Sequence, residues 1–595
     1  MLSPLLFALT PVGAPILAPA DELGALDLVS SNAMLVAHVA DLPGLRQTAA
    51  RNDFVRASIE PGGLLEAFGV PVPPIVPLLL SESIPAERLA ELDAPFDSAL
   101  KLVDSVRGDA VLFVELQEQT PVFGLAAYLG SGEADFVSAA NQLLVANGDT
   151  PFEELGQGFL HKVEKTTAEN GLPTQHVAVG HGWMVLAGAD EPLRCQALFE
   201  RLTNQIAAGD SSAGGPVNPA FTEARKNLRV QGQFELLVDL APLMQMGSGM
   251  GSMFLPPEVH DGLGELGVWG MGWAGIRAGI GVGEQADAEF AMNLPDGSGL
   301  AQLADLIRPV PFGMLERVPQ DVVQVSAGDI DMRGAVDVAM RIAGDFGPEY
   351  AEMIGGGLDQ ANAMLGFDLV DELIGQISGG IVAFARPSTG ETEDPALELL
   401  QTYLDATDVL FALEDHEAFE DALVELADMG SMMSEGAFEL VEGEAGEQVV
   451  WSFALDEELA PFQLPFRVGF KQLDGQGVGG FSVDEPGLLA LLGGKPEKNV
   501  LSNELLGPIL KSQRGLRATI QAVDTAAMII RARDAMLALS GLAGQFDEEA
   551  MDELGPMIEV ASKIDDEWVR RYFQGAALTT FERTANGIRW AQSAR

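Results

Sequence analysis

Val-Pro-Gln-Asp-Val-Val-Gln-Val-Ser-Ala at residues 318–327 repeats the pattern of Val-Ser-Ser-Asn-Ala-Met-Leu-Val-Ala-His at residues 29–38, shifted by 289 positions. Each is a short polar lead-in followed by an apolar alternation of period two, the signature of a half-buried strand. Three further pairs follow in the same order. Phe96-Asp97, a helical stretch, Gly108 and a strand from Ala110 to Leu116 recur as Phe367-Asp368, a helix, Gly379-Gly380 and a strand from Ile381 to Ala385, shifted by 271. Asp190-Glu191-Pro192-Leu193 recurs as Asp484-Glu485-Pro486-Gly487, shifted by 294, each time after a strand and before a Leu-rich helix. Leu228-Arg229 opens a strand running to Asp239, and Leu516-Arg517, shifted by 288, opens one running to Asp524. Four collinear pairs with matching context predict two diverged copies, residues 25–310 and 311–595. A period this long marks a domain duplication, since solenoid repeats run to about 20–50 residues.

The grammar of each copy is mixed. Period-two runs at Met34–Val39, Val111–Leu116, His176–Val179, Trp183–Leu186, Phe234–Val238 and Val409–Leu413 read as strands. Helical periodicity predicts helices over Ala86–Val106, Glu133–Ala146, Pro192–Ile206, Glu417–Leu426 and Asp524–Leu539. Short connections at Gly180-His181-Gly182, Pro387–Gly390 and Leu473–Gly477 require antiparallel pairing. The expected fold class is α+β: two tandem copies of a largely antiparallel sheet with helices on one face.

The surface is strongly anionic. The 595 residues carry 88 acidic and 34 basic side chains, a formal charge of −54, yet 47% of them are hydrophobic. Such a chain buries a large core, and it lacks the basic patch that nucleic acid or anionic lipid headgroups require. The charge is shared: the first 310 residues carry 38 acids and 15 bases, the remainder 50 and 19. A single cysteine, Cys195, excludes a disulfide framework, thiolate zinc sites and iron–sulfur clusters.

Residues 1–20 form an apolar run closed by Ala18-Pro19-Ala20, the small-x-small pattern of a signal-peptide cleavage site, so export to a periplasmic or extracellular location is expected. No later window supplies the ~18 apolar residues of an integral membrane span. The run Val70–Leu80 is interrupted by four prolines and reads as an extended connection.

Candidate chemistry is sparse. Ser98-Ala99-Leu100-Lys101 fits S-x-x-K, which places an amine one helical turn from a serine nucleophile, but neither K-T-G nor S-D-N accompanies it. His176 and His181 stand five apart and flank a hairpin turn, a spacing that makes no metal pair. Met244, Met246, Met250 and Met253 lie in a Met/Gly/Ser-rich segment, and Met429, Met432 and Met433 form a second cluster. Clustered thioethers hold Cu(I) or make a pliable apolar lid, and the lid is the candidate ligand-binding element. Gly279–Gly283 is G-x-G-x-G within a strand and no phosphate loop, and Gly355-Gly356-Gly357 reads as a helix end. Asp329-Ile330-Asp331 and Glu391–Asp394 match no calcium loop and read as surface charge; Asp547–Glu553 reads as an acidic first helical turn. No cofactor, metal site or catalytic set is predicted.

The duplicated unit, with Val318-Pro319-Gln320-Asp321 at a strand, a helix, strand pairs and then Asp-Glu-Pro before a Leu-rich helix, resembles large exported bacterial proteins of a domain-of-unknown-function family with tandem α+β units. The resemblance implies an envelope location and brings no activity and no catalytic residues. Three readings stand: an exported non-enzymatic binding or scaffold protein holding an envelope partner between its halves; a carrier or chaperone for apolar ligands with the Met-rich lid; and a serine hydrolase or transpeptidase-like enzyme using Ser98 and Lys101. A surface of this charge repels itself, so melting temperature is expected to rise from low to moderate NaCl as screening sets in. A fall over that range, measured by calorimetry, would contradict this.

Overall fold

The computed structural model describes residues 23–52, 101–118, 120–146, 150–164, 174–209, 218–281, 286–387, 407–434, 438–445, 448–455, 466–541 and 561–594, with 555 and 558. Phe96-Asp97, Ser98, the Val70–Leu80 run, Glu391–Asp394, Asp547–Glu553 and the first twenty residues lie outside them. The chain divides into two compact units. The first holds the described residues of Met1–Met246 and Met271–Asn293 together with the end of the last strand, and the second Gly247–Gly270 and Leu294–Gln592.

The first unit contains β1 (Ala33–Val39), β2 (Ala110–Gln117), β3 (Thr120–Tyr128), β4 (Glu153–Gly156), β5 (Phe159–Glu164), β6 (Thr174–Gly180), β7 (Trp183–Ala189), β8 (Phe234–Asp239), β9 (Trp273–Ile280) and β10 (Ala286–Asn293). Its helices are α1 (Leu42–Ala49), α2 (Glu133–Ala146), α3 (Pro192–Ala208) and α4 (Pro219–Asn227). Next comes α5 (Ala241–Phe254), within which the division between units falls. Every ladder is antiparallel, in the spatial order β4-β5-β6-β7-β3-β2-β1-β8-β9-β10.

The second unit contains β11 (Gln324–Gly328), β12 (Ile377–Ala385), β13 (Asp408–Leu413), β14 (Phe438–Ala445), β15 (Gln448–Leu455), β16 (Arg467–Leu473), β17 (Gln476–Ser482), β18 (Ala518–Asp524), β19 (Ala576–Thr584) and β20 (Gly587–Ala594). With it go α6 (Pro257–Leu266), α7 (Met332–Phe346), α8 (Pro348–Leu365), α9 (His416–Met433), α10 (Glu485–Leu492), α11 (Leu506–Lys511) and α12 (Thr525–Gly541). The order is β14-β15-β16-β17-β13-β12-β11-β18-β19-β20, again all antiparallel. Adding ten to each strand number of the first sheet gives the second.

Register carries the match to single residues. Val36 lies opposite Phe113 and Leu237, and Val325 opposite Phe384 and Ala522. All six are buried, with Phe113 and Phe384 among the largest fully buried side chains. Val36 and Val325 are 289 positions apart, and Phe113 and Phe384 are 271 apart, the two shifts read from sequence. The ladders pair Gly124 with Ala187 and Asp408 with Ser482, so β7 and β17 are related by 295, one more than the Asp190/Asp484 shift. Leu237 and Ala522 are 285 apart, which aligns Asp239 with Asp524 and leaves Leu228 and Leu516 three residues out of step. Both aspartates cap the helix after their strand: Asp239 Oδ1 accepts from Ala241 N at 3.1 Å and Asp524 Oδ1 from Ala527 N at 2.9 Å.

Turn chemistry agrees at the equivalent hairpins. β6 and β7 are joined by His181-Gly182 (φ 55° and 79°), and β16 and β17 by Asp474-Gly475 (φ 53° and 82°). Two consecutive left-handed residues make a type I′ turn, which glycine at the second position eases.

The expectation of helices on one face is corrected. In the first unit Ala126, Ala178 and Val185 pack with Leu198 and Leu202 of α3, while their neighbours Ala127, Val179 and Met184 pack with Phe136 and Ala140 of α2. Successive strand residues point to opposite faces, so α2 and α3 cover opposite sides of the sheet. The second unit does the same. A Cβ at Gly480 would meet Leu488 and Leu492 of α10, whereas one at Gly479 would meet the Phe411 ring, which packs on Phe419 of α9. The predicted helix end at Gly355–Gly357 is also corrected: α8 runs on to Leu365 and stops at Gly366, whose φ is 83°.

Phe113→Ala and Phe384→Ala are each expected to cost about 3–5 kcal/mol, the usual cost of emptying a core aromatic site. Denaturant unfolding monitored by tryptophan fluorescence checks both, and a loss below about 1 kcal/mol would show that the ladder crossing is not a core site.

Candidate functional site

The face of the second sheet on which α9 packs also carries a concavity. Ser326 and Gly328 of β11, Ile381 and Ala383 of β12, Thr519 and Gln521 of β18, Thr579 and Phe581 of β19 and Trp590 of β20 border a concave cavity of about 460 Å³. Ile330 and Met332, at the start of α7, and Ile377 form its margin. The alternate residues of the same strands, Val325, Val382, Phe384, Ile520 and Leu578, point into the core. The cavity wall is therefore the second face of strands already buried on the first. Among the described residues no side chain on it carries a charge, and Ile381 and Ile330 are 38% and 41% exposed. An apolar concavity with a few hydroxyl and amide groups (Ser326, Thr519, Gln521, Thr579) suits a small, mostly apolar ligand.

The cavity residues escaped the sequence reading, although a signal was present. In a chain with 88 acids, β11, β12 and β18 carry no charged residue before Asp524. Uncharged outward positions mark a strand whose second face is occupied or apolar.

The Met-rich segment is helical. Met246, Met250, Met253 and Phe254 fall at i, i+4, i+7 and i+8 on α5 and are 53–78% exposed, while Met244 is half-buried. Met432 and Met433 end α9 and are also exposed, as are Met353 and Met364 of α8. α7 and α8 have no buried residue. Met332 of α7 lines the cavity.

The hairpin expected at His176 and His181 is that of β6 and β7, with His181 in its turn, and the fold also brings His176 against His161, which spacing did not indicate. Nε2 of His161 lies 3.3 Å from Nδ1 of His176, on the adjacent strands β5 and β6, and both rings pack on Phe199 of α3. They line a second cavity, of about 400 Å³, with Gln196, Glu200 and Asn204. Burial lowers both imidazole pKa values, and His176 lowers that of His161 further; Glu153 and Glu200 act in the opposite sense. His181 is elsewhere, bonded to the Gln157 carbonyl at 2.7 Å. Among the described residues no group of three His, Cys, Asp or Glu side chains is placed to hold a metal. Cys195 is buried in the core of the first unit, its Sγ donating to the carbonyls of Thr174 and Ala187 at 3.2 Å, and burial pushes the thiol pKa up, away from reactivity. Lys101 is exposed on a helix, and its proposed partner Ser98 lies outside the described residues.

No family model and no curated protein matches the sequence. Structural similarity extends over about half of the chain to TP0453, a Treponema protein of unknown function. Crystal form I of TP0453 gives a TM-score of 0.23 at 10% identity, over 46% of this chain and 80% of that one. Form III gives 0.24 at 10% identity, over 48% and 88%. Form IV gives 0.22 at 12%, over 48% and 84%. Among the described residues no helix is long and apolar enough to cross a membrane.

The two histidines set a pH response. Their folded pKa values lie below the ordinary 6.5, so the unfolded chain binds more protons as pH falls through that value and the fold loses stability. His176→Phe is expected to flatten the stability of the first unit between about pH 7 and 5.5. An unchanged slope in denaturant titrations would remove the pair from that response.

Proposed function

We propose that the chain is an exported, non-enzymatic binding protein built from two diverged copies of one ten-stranded α+β unit, and that the second copy takes a small apolar ligand on the outer face of its sheet. The single observation that carries the reading is the uncharged cavity bounded by Ser326, Ile381, Ala383, Gln521, Phe581 and Trp590. Its volume, about 460 Å³, lies in the range of small-molecule sites, and its few hydroxyl and amide groups orient a ligand without demanding charge. The common strand order and the shared shifts of 289 and 271 support descent of both units from one.

The Met-bearing helices take the role of apolar contact surface in this reading. Thioethers adapt to irregular partners, and seven methionines on α5, α8 and α9 are more than half exposed. Because Met332 stands at the cavity margin, the α7–α8 pair is better placed than Met244–Met253 to close over a ligand. No residue is assigned a catalytic role.

Trp590 supplies the readout. A neutral apolar probe, N-phenyl-1-naphthylamine, is expected to bind with micromolar affinity and quench tryptophan emission. Ala383→Arg, which projects a long cation from the wall, should weaken binding at least tenfold and leave the melting temperature within a few degrees. Equal binding by the variant would refute the assignment of this cavity.

A further inference from the structure

We infer that the second unit also carries a site for a small oxyanion, on the core side of its sheet and separate from the apolar cavity. A cavity of about 210 Å³ lies between the segment at Arg317–Pro319 and the end of α10, and Arg317, Arg386 and Lys495 all face it. In a chain with 34 bases against 88 acids, three basic side chains and one carboxylate, Asp408, line this small cavity.

Arg317 is the central observation. It is 95% buried (5% exposed), and its Nη2 donates to Asp474 Oδ2 at 3.0 Å. Its Nη1 is buried and meets no hydrogen-bond acceptor among the described residues. Buried guanidinium nitrogens are ordinarily paired, so an unpaired one on a residue that lines a cavity points to a partner that comes from outside. Asp474 is 71% exposed at its turn, and solvent screens its hold on Arg317.

The other groups are arranged around this donor. Lys495 Nζ bonds Glu316 Oε2 at 2.6 Å, and with its side chain 48% exposed it is free to swing toward an anion. Arg386 is fixed: Nε and Nη2 reach Asp408 at 2.7 and 3.2 Å, and Nη2 also reaches Asp484 at 2.8 Å. Asp408, the carboxylate on the wall, is spent on Arg386, Thr407 and Ser482. Gly487 lets the guanidinium lie close, since a Cβ there would stand 2.4 Å from Arg386 Nη2. The cavity loop is held by the bridge between Pro319 and Asn499 and by Val500 N donating to Val318 O at 2.9 Å. A planar fork with one donor to spare, plus a mobile ammonium, matches a phosphate or carboxylate group.

Calorimetric titration of the full chain with inorganic phosphate and with acetate, in NaCl of matched ionic strength, tests the site. Saturable binding near one per chain is expected, with a rise in melting temperature beyond that of NaCl alone. Tighter phosphate assigns a phosphoryl ligand, and tighter acetate a carboxylate. Lys495→Gln should weaken binding about tenfold, the scale of a lost charge-assisted hydrogen bond, and Arg317→Gln should abolish it. If Arg317→Gln fails to fold, Lys495→Gln alone decides. No saturable heat with either anion, or wild-type affinity in Lys495→Gln, would overturn the proposal.

Discussion

Each sheet depends on its first strand being held from both sides. β1 lies between β2 and β8, and β11 between β12 and β18. The partners on the two sides come from opposite ends of the unit: β2 follows β1 with only α1 among the described elements between them, while β8 arrives some 200 residues after β1. Neither half of the sheet is complete until that late strand docks, and loop closure over such a span is repaid only when the core forms. Val36 and Val325 stand at these junctions, each between two buried partners. A residue boxed in by two ladders and a core has few substitutes.

Much of this was legible because it rests on local grammar. Strands β1, β2, β6, β7, β8 and β13 coincide with period-two runs, α2 with its predicted span, and the two I′ turns with His181-Gly182 and Asp474-Gly475. The features that escaped were non-local. Placing α2 and α3 on opposite faces depends on which strands flank β7, and nothing in a helix's own periodicity states that. Gly355-Gly356-Gly357 looked like a stop signal, but propensity is a weak prior, and the α7 packing beside Gly355 (Met340 Cε at 3.3 Å from a Cβ there) outweighs it. The His161–His176 contact escaped for the same reason. His161 and His176 are fifteen residues apart and meet only through the β5–β6 register.

The buried charges show how tightly the scaffold constrains chemistry. The shift of 271 that relates Phe113 to Phe384 also relates Glu115 to Arg386. Glu115, 3% exposed, is held by Arg201 of α3 at 2.5 Å, whose guanidinium also lies over Phe113. Arg386 is held by Asp408 and Asp484. One position at the end of an equivalent strand carries opposite charges in the two units, and in each the surroundings supply the complement. A buried charge without its partner is far more costly than either pair, so each unit supplies the complement. The position requires a satisfied ion pair and is indifferent to its polarity.

That indifference separates scaffold from site. The strand order, the ladder junctions and the I′ turns are common to both units, whereas the histidine pair occurs in the first, and the uncharged cavity and the arginine-lined one in the second. Ala383 of the cavity wall illustrates the difference. Its equivalent by the same shift of 271 is Leu112, a larger side chain that is 42% exposed. A small residue at 383 leaves room over the sheet, and a leucine at 112 fills part of it. Because both face away from the core, neither choice disturbs the ladder beneath. Outward strand positions and the loops after α10 can therefore carry different chemistry in the two units without touching the ladders and core that make the sheet fold.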